Sequence, residues 1–208
     1  MDASGPDGSH GRAGYRRSAG SPRGEARRQD LLDRVIEDLA VNGLVDFSLR
    51  RAARAAGTTH KVLLYYFDGA DDLLKQAVFG LRDRRIRRGM AAASPGPGRE
   101  TLAARVRAMW PVLTGVESEV LDQAIGLSMY DANRYTELGR GASKQYLPSL
   151  ISLCPEHWSE QRKLEVAEMI LATLRGFLVD WRTSGDAEGI SAGFDALMRA
   201  LDREEAAD

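Results

Sequence analysis

SLRRAARAAGTTHKVLLYYFDGADDLL, residues 48–74, decides the fold. It reads as two short helices joined by a Gly-centred turn and followed by a third helix. The spacing is what a tight helix pair requires: small Ala53 where the helices touch, Gly57 at the turn and apolar Leu63 inside the second helix. A bulky side chain at position 53 would push the pair apart, and a β-branched residue at 57 would resist the positive φ that such turns commonly need. The pattern is that of a helix-turn-helix.

Working outward, Ser48 is placed to accept from the free amides at the start of one helix, and Thr58 or Thr59 at the start of the next. Upstream, from Glu25, residues Leu32, Val35, Ile36, Leu39 and Ala40 fall on one face and Arg34, Glu37 and Asp38 on the other, which predicts an amphipathic first helix. Asn42-Gly43 closes it as a C-terminal cap would. In the helix after Thr59, Val62, Leu63 and Phe67 are placed to face inward, leaving His60, Lys61, Leu64 and Tyr65 on the surface. A helix fits the major groove of B-form DNA, where base edges differ for each pair, so residues in its first turns can read sequence. The expected DNA-binding residues are Thr59, His60, Lys61 and Tyr65, with Arg50 placed for phosphate or guanine and the Tyr66 hydroxyl for phosphate. His10 and His157 lie far from His60 in sequence and no Cys or His sits at ligand spacing, so no metal site is expected.

Charge supports one-ended contact with nucleic acid. Residues 1–98 hold 17 Lys+Arg against 12 Asp+Glu, a net +5, and residues 99–208 hold 12 against 18, a net −6. Arg82, Arg84, Arg85, Arg87 and Arg88 cluster on one segment, either as a solvated helix face or as a DNA contact. Residues 1–24 are rich in Gly, Ser and Pro with scattered Arg12, Arg16, Arg17 and Arg23, and are expected to be a disordered arm, either a passive tail or a contact to phosphates or a minor groove.

Hydrophobic residues make up 43% of 208 residues, yet no window approaches 18 uninterrupted apolar positions, so no membrane span is expected. The first residues lack the apolar core of a secretory signal. The one cysteine, Cys154, excludes an intrachain disulfide and reads as a core residue; a cytoplasmic location is expected. There is no phosphate-cradling Gly loop, no GxSxG and no paired acid/base constellation, and Glu165 and Glu168 share a face that reads as a solvated edge. The chain is expected not to be an enzyme and to use no cofactor.

Residues 27–75 resemble the DNA-binding domain of the tetracycline-repressor (TetR) family. The resemblance rests on Gly43, Ser48, Arg50, Ala53, Ala56-Gly57, Thr59, Tyr66-Phe67 and Leu73-Leu74, about a quarter of the chain and specific as a set. The run GTTHKVLLYYF further resembles regulators frequent in high-GC actinobacteria. Two positions depart from the family pattern: Ala70 stands where a phosphate-binding Lys is usual at the start of the fourth helix, and Leu64 replaces a common Tyr. The resemblance implies an all-α protein: a helix-turn-helix domain over residues 25–75 and a helical effector-binding and dimerising domain over residues 76–208.

The remaining sequence reads as helical by itself. Asp71–Ala93 is a long helix ended by SPGPG at 94–98, followed by Glu100–Leu113, Glu117–Tyr130 and Arg134–Leu153, the last expected to kink at Pro148. Glu160–Ser184 carries a stripe of Leu164, Ala167, Ile170, Leu171, Leu174, Leu178 and Trp181; Gly185-Asp186 breaks it, and Ile190, Phe194, Leu197, Met198 and Leu201 make a final amphipathic helix. In the family the corresponding last pair packs against its copy as a four-helix bundle, which implies a homodimer. Two recognition helices related by a two-fold axis read a palindromic operator where one reads a few base pairs. Met109, Trp110, Leu127, Met129, Tyr130, Tyr146, Trp158 and Phe177 read either as plain core or as the lining of an effector cavity, whose ligand is then expected to be small and largely apolar. Among these, Met109, Trp110, Leu127, Tyr130, Tyr146 and Phe177 are the expected ligand-binding set. The functional expectation is a DNA-binding regulator, most commonly a repressor in this family, released by its ligand. The alternative is a helical adaptor or ligand-binding protein that has lost specific DNA binding.

Overall fold

The computed structural model describes residues 21–207, all of whose regular structure is α-helical. The helices are α1 (Pro22–Asn42), α2 (Leu49–Ala55), α3 (His60–Tyr66), α4 (Ala70–Ala92), α5 (Leu102–Thr114), α6 (Val116–Tyr130), α7 (Ala132–Ile151), α8 (Glu160–Ser184) and α9 (Ala187–Glu205). The chain divides into two compact units, one ending at Ala77 and the other starting at Val78.

The first helix starts earlier than Glu25. Ser21 Oγ accepts from Gly24 N at 3.1 Å and Pro22 opens the helix, so residues 22–24 of the expected arm are helical. Proline suits that first position because its missing N–H would have had no helical partner. Residues 1–20, with Arg12, Arg16 and Arg17, lie outside the described residues.

In the first unit, α1 buries Leu31, Leu32, Val35, Ile36 and Leu39. The α2–α3 pair closes with Ala52, Ala53, Ala56, Leu63 and Phe67 buried, and Leu73, Leu74 and Ala77 at the start of α4 complete the core. The α2 terminus is a Schellman motif: Thr58 N donates to Ala53 O at 2.9 Å and Gly57 N to Arg54 O at 3.1 Å. Gly57 sits at φ +62°, the left-handed region the turn demanded. Ser48 and Thr59 cap α2 and α3, their hydroxyls accepting from Arg51 N and Val62 N.

Arg51 stitches this unit together. Its guanidinium donates to Asp38 Oδ2 at 2.7 Å, Val45 O at 2.7 Å and Gly43 O at 2.8 Å, tying α2 to the end of α1. Asp46 adopts φ +57° between these anchors.

The second unit surrounds a core built by α5, α7, α8 and α9, including Val106, Met109, Tyr146, Ile170, Leu174, Leu178, Phe194 and Leu201. Glu160–Ser184 is helical as expected, ended by Gly185 at φ +71°. Its expected stripe differs at one end: Val166 is buried and Leu164 is 40% exposed. Helix α7 runs past Pro148 to Ile151, and α5 also contains Pro111. Cys154 is buried, within 3.6 Å of Leu150 O, and burial pushes its thiol pKa up.

Candidate nucleic-acid interface and ligand core

In the first unit, the capping geometry of α2 and α3 fixes which side chains face solvent. Arg50, Thr59, His60 and Lys61 are exposed, Tyr65 and Tyr66 half-buried, and Leu63 and Phe67 buried. A cleft of about 500 Å³ opens between the helices, lined by Arg50, Ala53, Arg54, Thr58, Thr59 and His60. Arg54 is an exposed cation one turn on from Arg50, on the same face. Its i, i+4 spacing from Arg50 is the signal in the sequence that marks it as part of the same surface. Residues 47–67 contain no Asp or Glu, so the cations meet no acid on their own elements. The Thr59 hydroxyl already accepts from Val62 N at 3.4 Å, which leaves its proton for an outside acceptor. The rings of Tyr65 and Tyr66 meet edge to face at 4.7 Å. At the start of α4, beside Ala70, the Asp72 carboxylate accepts from Asp68 N at 3.1 Å.

In the second unit, the six residues expected to bind ligand do not converge on one cavity. Trp110 stacks on Phe194 at 4.7 Å, and Phe177 meets both rings edge-on. Trp110 also lines a cleft of about 420 Å³ with Trp181, Ile190 and Phe194, rimmed by the ion pair of Arg107 and Asp195 at 2.8 Å. Met109 is plain core. Leu127 is half-buried, Tyr130 is 90% exposed at the end of α6, and Met129 is 80% exposed. A 3.6-residue repeat marks a face as apolar but does not say what covers it. Trp158 is buried with the Arg162 guanidinium 4.1 Å from its ring.

Tyr146 occupies a setting that sequence periodicity did not reveal. It is buried, and its hydroxyl accepts from Arg85 Nε at 2.9 Å and also from Arg85 Nη2. Arg82, 1% exposed, donates to Gln145 Oε1 at 2.7 Å and Leu138 O at 2.8 Å. Two arginines of the 82–88 cluster are therefore interior, which corrects the reading of the whole run as a solvated face or DNA contact. Burial lowers the Arg82 pKa from its ordinary value, with Arg85 and Arg175 adding like-charge repulsion against the opposing pull of Tyr146. Asp122 accepts from Arg182 Nε at 2.7 Å; burial raises its carboxyl pKa although Arg182 and Arg85 pull the other way.

Neither a family model nor a curated protein matches the sequence. Solved structures do match. The chain is similar to a protein from Rhodococcus sp. assigned to the TetR family of transcriptional regulators (TM-score 0.61, 16% identity, covering 86% of this chain and 97% of that one). It is similar also to a protein from Streptomyces coelicolor A3(2) assigned as a transcriptional regulator (TM-score 0.62, 18% identity, 84% and 98%). A third is the transcriptional regulator FadR from Bacillus subtilis, solved in complex with stearoyl-CoA (TM-score 0.57, 16% identity, 83% and 96%). The fold is that of TetR-type regulators, an N-terminal helix-turn-helix followed by a helical unit. Among the described residues no helix is long and apolar enough to cross a membrane, and no group of His, Cys, Asp and Glu is arranged to hold a metal ion.

Proposed function

We propose that this chain is a homodimeric, sequence-specific DNA-binding regulator, a repressor released from a palindromic operator by a small, largely apolar ligand. The observation that carries the reading is the acid-free surface of α2 and α3, with Arg50, Arg54, Thr59, His60 and Lys61 exposed on a capped helix pair. Lys61 and Arg50 supply cations for guanine acceptors or phosphate, His60 and Thr59 shorter polar contacts, and Tyr65 an apolar edge suited to a thymine methyl. Residues 25–75 are the DNA-binding part in this reading, and residues 76–208 bind effector and partner.

The homodimer is supported by an unburied seam on α8. Met169, Ala172, Gly176, Val179 and Thr183 recur at three- and four-residue spacing and are all exposed, the pattern by which two helices pack on each other. A Cβ added at Gly176 would meet nothing within 4 Å, so the seam leaves room for a partner backbone. On α9, small Ala192 and Ala196 are exposed as well. Release by ligand requires that the ligand favour one of two helix arrangements by a coupling of roughly 1–3 kcal/mol.

Mobility-shift titration with DNA flanking the protein's own gene tests the reading. Specific shifts that weaken steeply with salt are expected, with discrimination lost in Lys61→Ala and Tyr65→Ala; each base contact removed costs roughly 1–3 kcal/mol. Equal binding to scrambled DNA, or none at low salt, assigns the chain instead to the helical adaptors.

A further inference from the structure

Besides Arg99 Nε, ahead of α5, three arginines of the second unit hold buried guanidinium nitrogens without hydrogen-bond partners among the described residues. They are Arg85 Nη1, Arg175 Nε and Nη2, and Arg182 Nη2, all buried. The arginines come from two helices, α4 and α8, and their remaining nitrogens are engaged. Arg175 Nη1 donates to Ser143 Oγ at 3.2 Å, Arg85 donates to Tyr146, and Arg182 Nε to Asp122. Tyr146 gathers two of them, with the Arg85 guanidinium carbon 5.1 Å and that of Arg175 5.9 Å from its ring centroid.

The acids nearby do not balance this charge. Asp122, whose carboxylate stands 4.0 Å from Arg85 Nη1, is already engaged by Arg182. Glu119 lies 3.9 Å from Arg182 and is half exposed, and Glu168 acts on Arg175 only from a distance and from the surface. Buried cations are retained when paired, and unpaired guanidinium N–H groups carry the full cost of desolvation. The unpaired edge of Arg175 is Nε with Nη2, whose two parallel N–H vectors match a carboxylate or phosphate in bidentate fashion. Burial also lowers the Arg175 pKa, with Arg85 adding repulsion against the pull of Tyr146, a strain that a bound anion would relieve.

We propose that Arg175 and Arg85, around Tyr146, form a buried oxyanion site that takes the carboxylate or phosphate head of an amphipathic effector. Tyr146 belongs to the apolar core with Met109 and Leu174, so the body attached to that head meets hydrocarbon. This rests on the reading of the second unit as the effector-binding part, and it adds an anionic head to the largely apolar ligand of that reading.

Thermal melting and calorimetry of the full chain with octanoate, octyl phosphate and 1-octanol test it. Either anion at about 5 mM is expected to raise the melting temperature while 1-octanol does not, because only a ligand bound to the folded state stabilises it. Octanoate acting alone points to a carboxylate effector, octyl phosphate alone to a phosphorylated one. Arg175→Gln is expected to weaken the anion about tenfold or more while the free protein still melts cooperatively. Arg85→Lys, which keeps charge but loses the planar fork, is expected to weaken it too and serves where Arg175→Gln does not fold. No shift with either anion, an equal shift with 1-octanol, or undiminished affinity in the folded variants overturns the proposal. Binding is read without DNA: anions bound by a protein that shifts no DNA leave the site standing and remove the regulator, and specific DNA shifts without anion binding do the reverse.

Discussion

At the scale of single residues, adjacent arginines divide the labour. Arg50 is exposed on the cleft of the helix pair, whereas the guanidinium of Arg51 is spent on Asp38, Gly43 and Val45. Arg51→Ala is expected to destabilise the fold by about 2–3 kcal/mol, since it leaves partly buried acceptors and an acid without their partner, and Arg50→Ala by less than about 0.5 kcal/mol. Urea unfolding of the two variants checks the contrast, and in the mobility-shift titration only Arg50→Ala, which folds normally, is expected to weaken DNA binding selectively. Gly57 at φ +62° is a second such position. A Cβ there would lie 3.5 Å from Arg34 Nη1, ordinary contact, so Gly57→Ala is expected to cost about 1–2 kcal/mol from backbone strain alone. The same unfolding measurement reads it. Cys154 is buried with its thiol pKa raised, so the folded protein keeps the protonated, unreactive form; iodoacetamide is expected to label it at pH 8 only after denaturant is added.

At the scale of elements, the helices of the first unit are written almost completely in local signals. Ser48 caps α2 where the sequence placed it, Thr59 rather than Thr58 caps α3, and the Gly57 turn closes on backbone bonds between residues three and five apart. Ser48→Ala is expected to cost about 1 kcal/mol of stability, measured by thermal melting, because the free amide of Arg51 loses its acceptor. The early start of α1 was also legible as Ser21-Pro22, a cap followed by a first-turn proline, but the Gly-rich composition around it masked the signal. In the second unit, local reading found the helices and missed the surroundings. Leu164 lies at helical spacing with the core of α8 yet is 40% exposed, while Val166, off the expected stripe, is buried. A long helix touched on more than one side has no single apolar face, so periodicity alone misassigns positions near its ends.

For the molecule as a whole, the exposed seam of α8 carries the expectation of a two-fold assembly. Val179→Arg is expected to convert a dimer into a folded monomer, and sedimentation equilibrium at micromolar concentration checks it; a wild-type chain that sediments as a monomer would remove the dimer and with it the palindromic operator. What the sequence by itself determined was the all-helical class, the capped helix pair and its acid-free surface, because caps, turns and the 3.6-residue repeat are settled by neighbours within a turn or two of one another. Only the tertiary structure decided which arginines of the 82–88 run are interior. Arg82 and Arg85 find Leu138, Gln145 and Tyr146 from 56 to 63 positions away. A guanidinium is buried or solvated according to partners that the folded chain brings to it, and no spacing within its own helix encodes them.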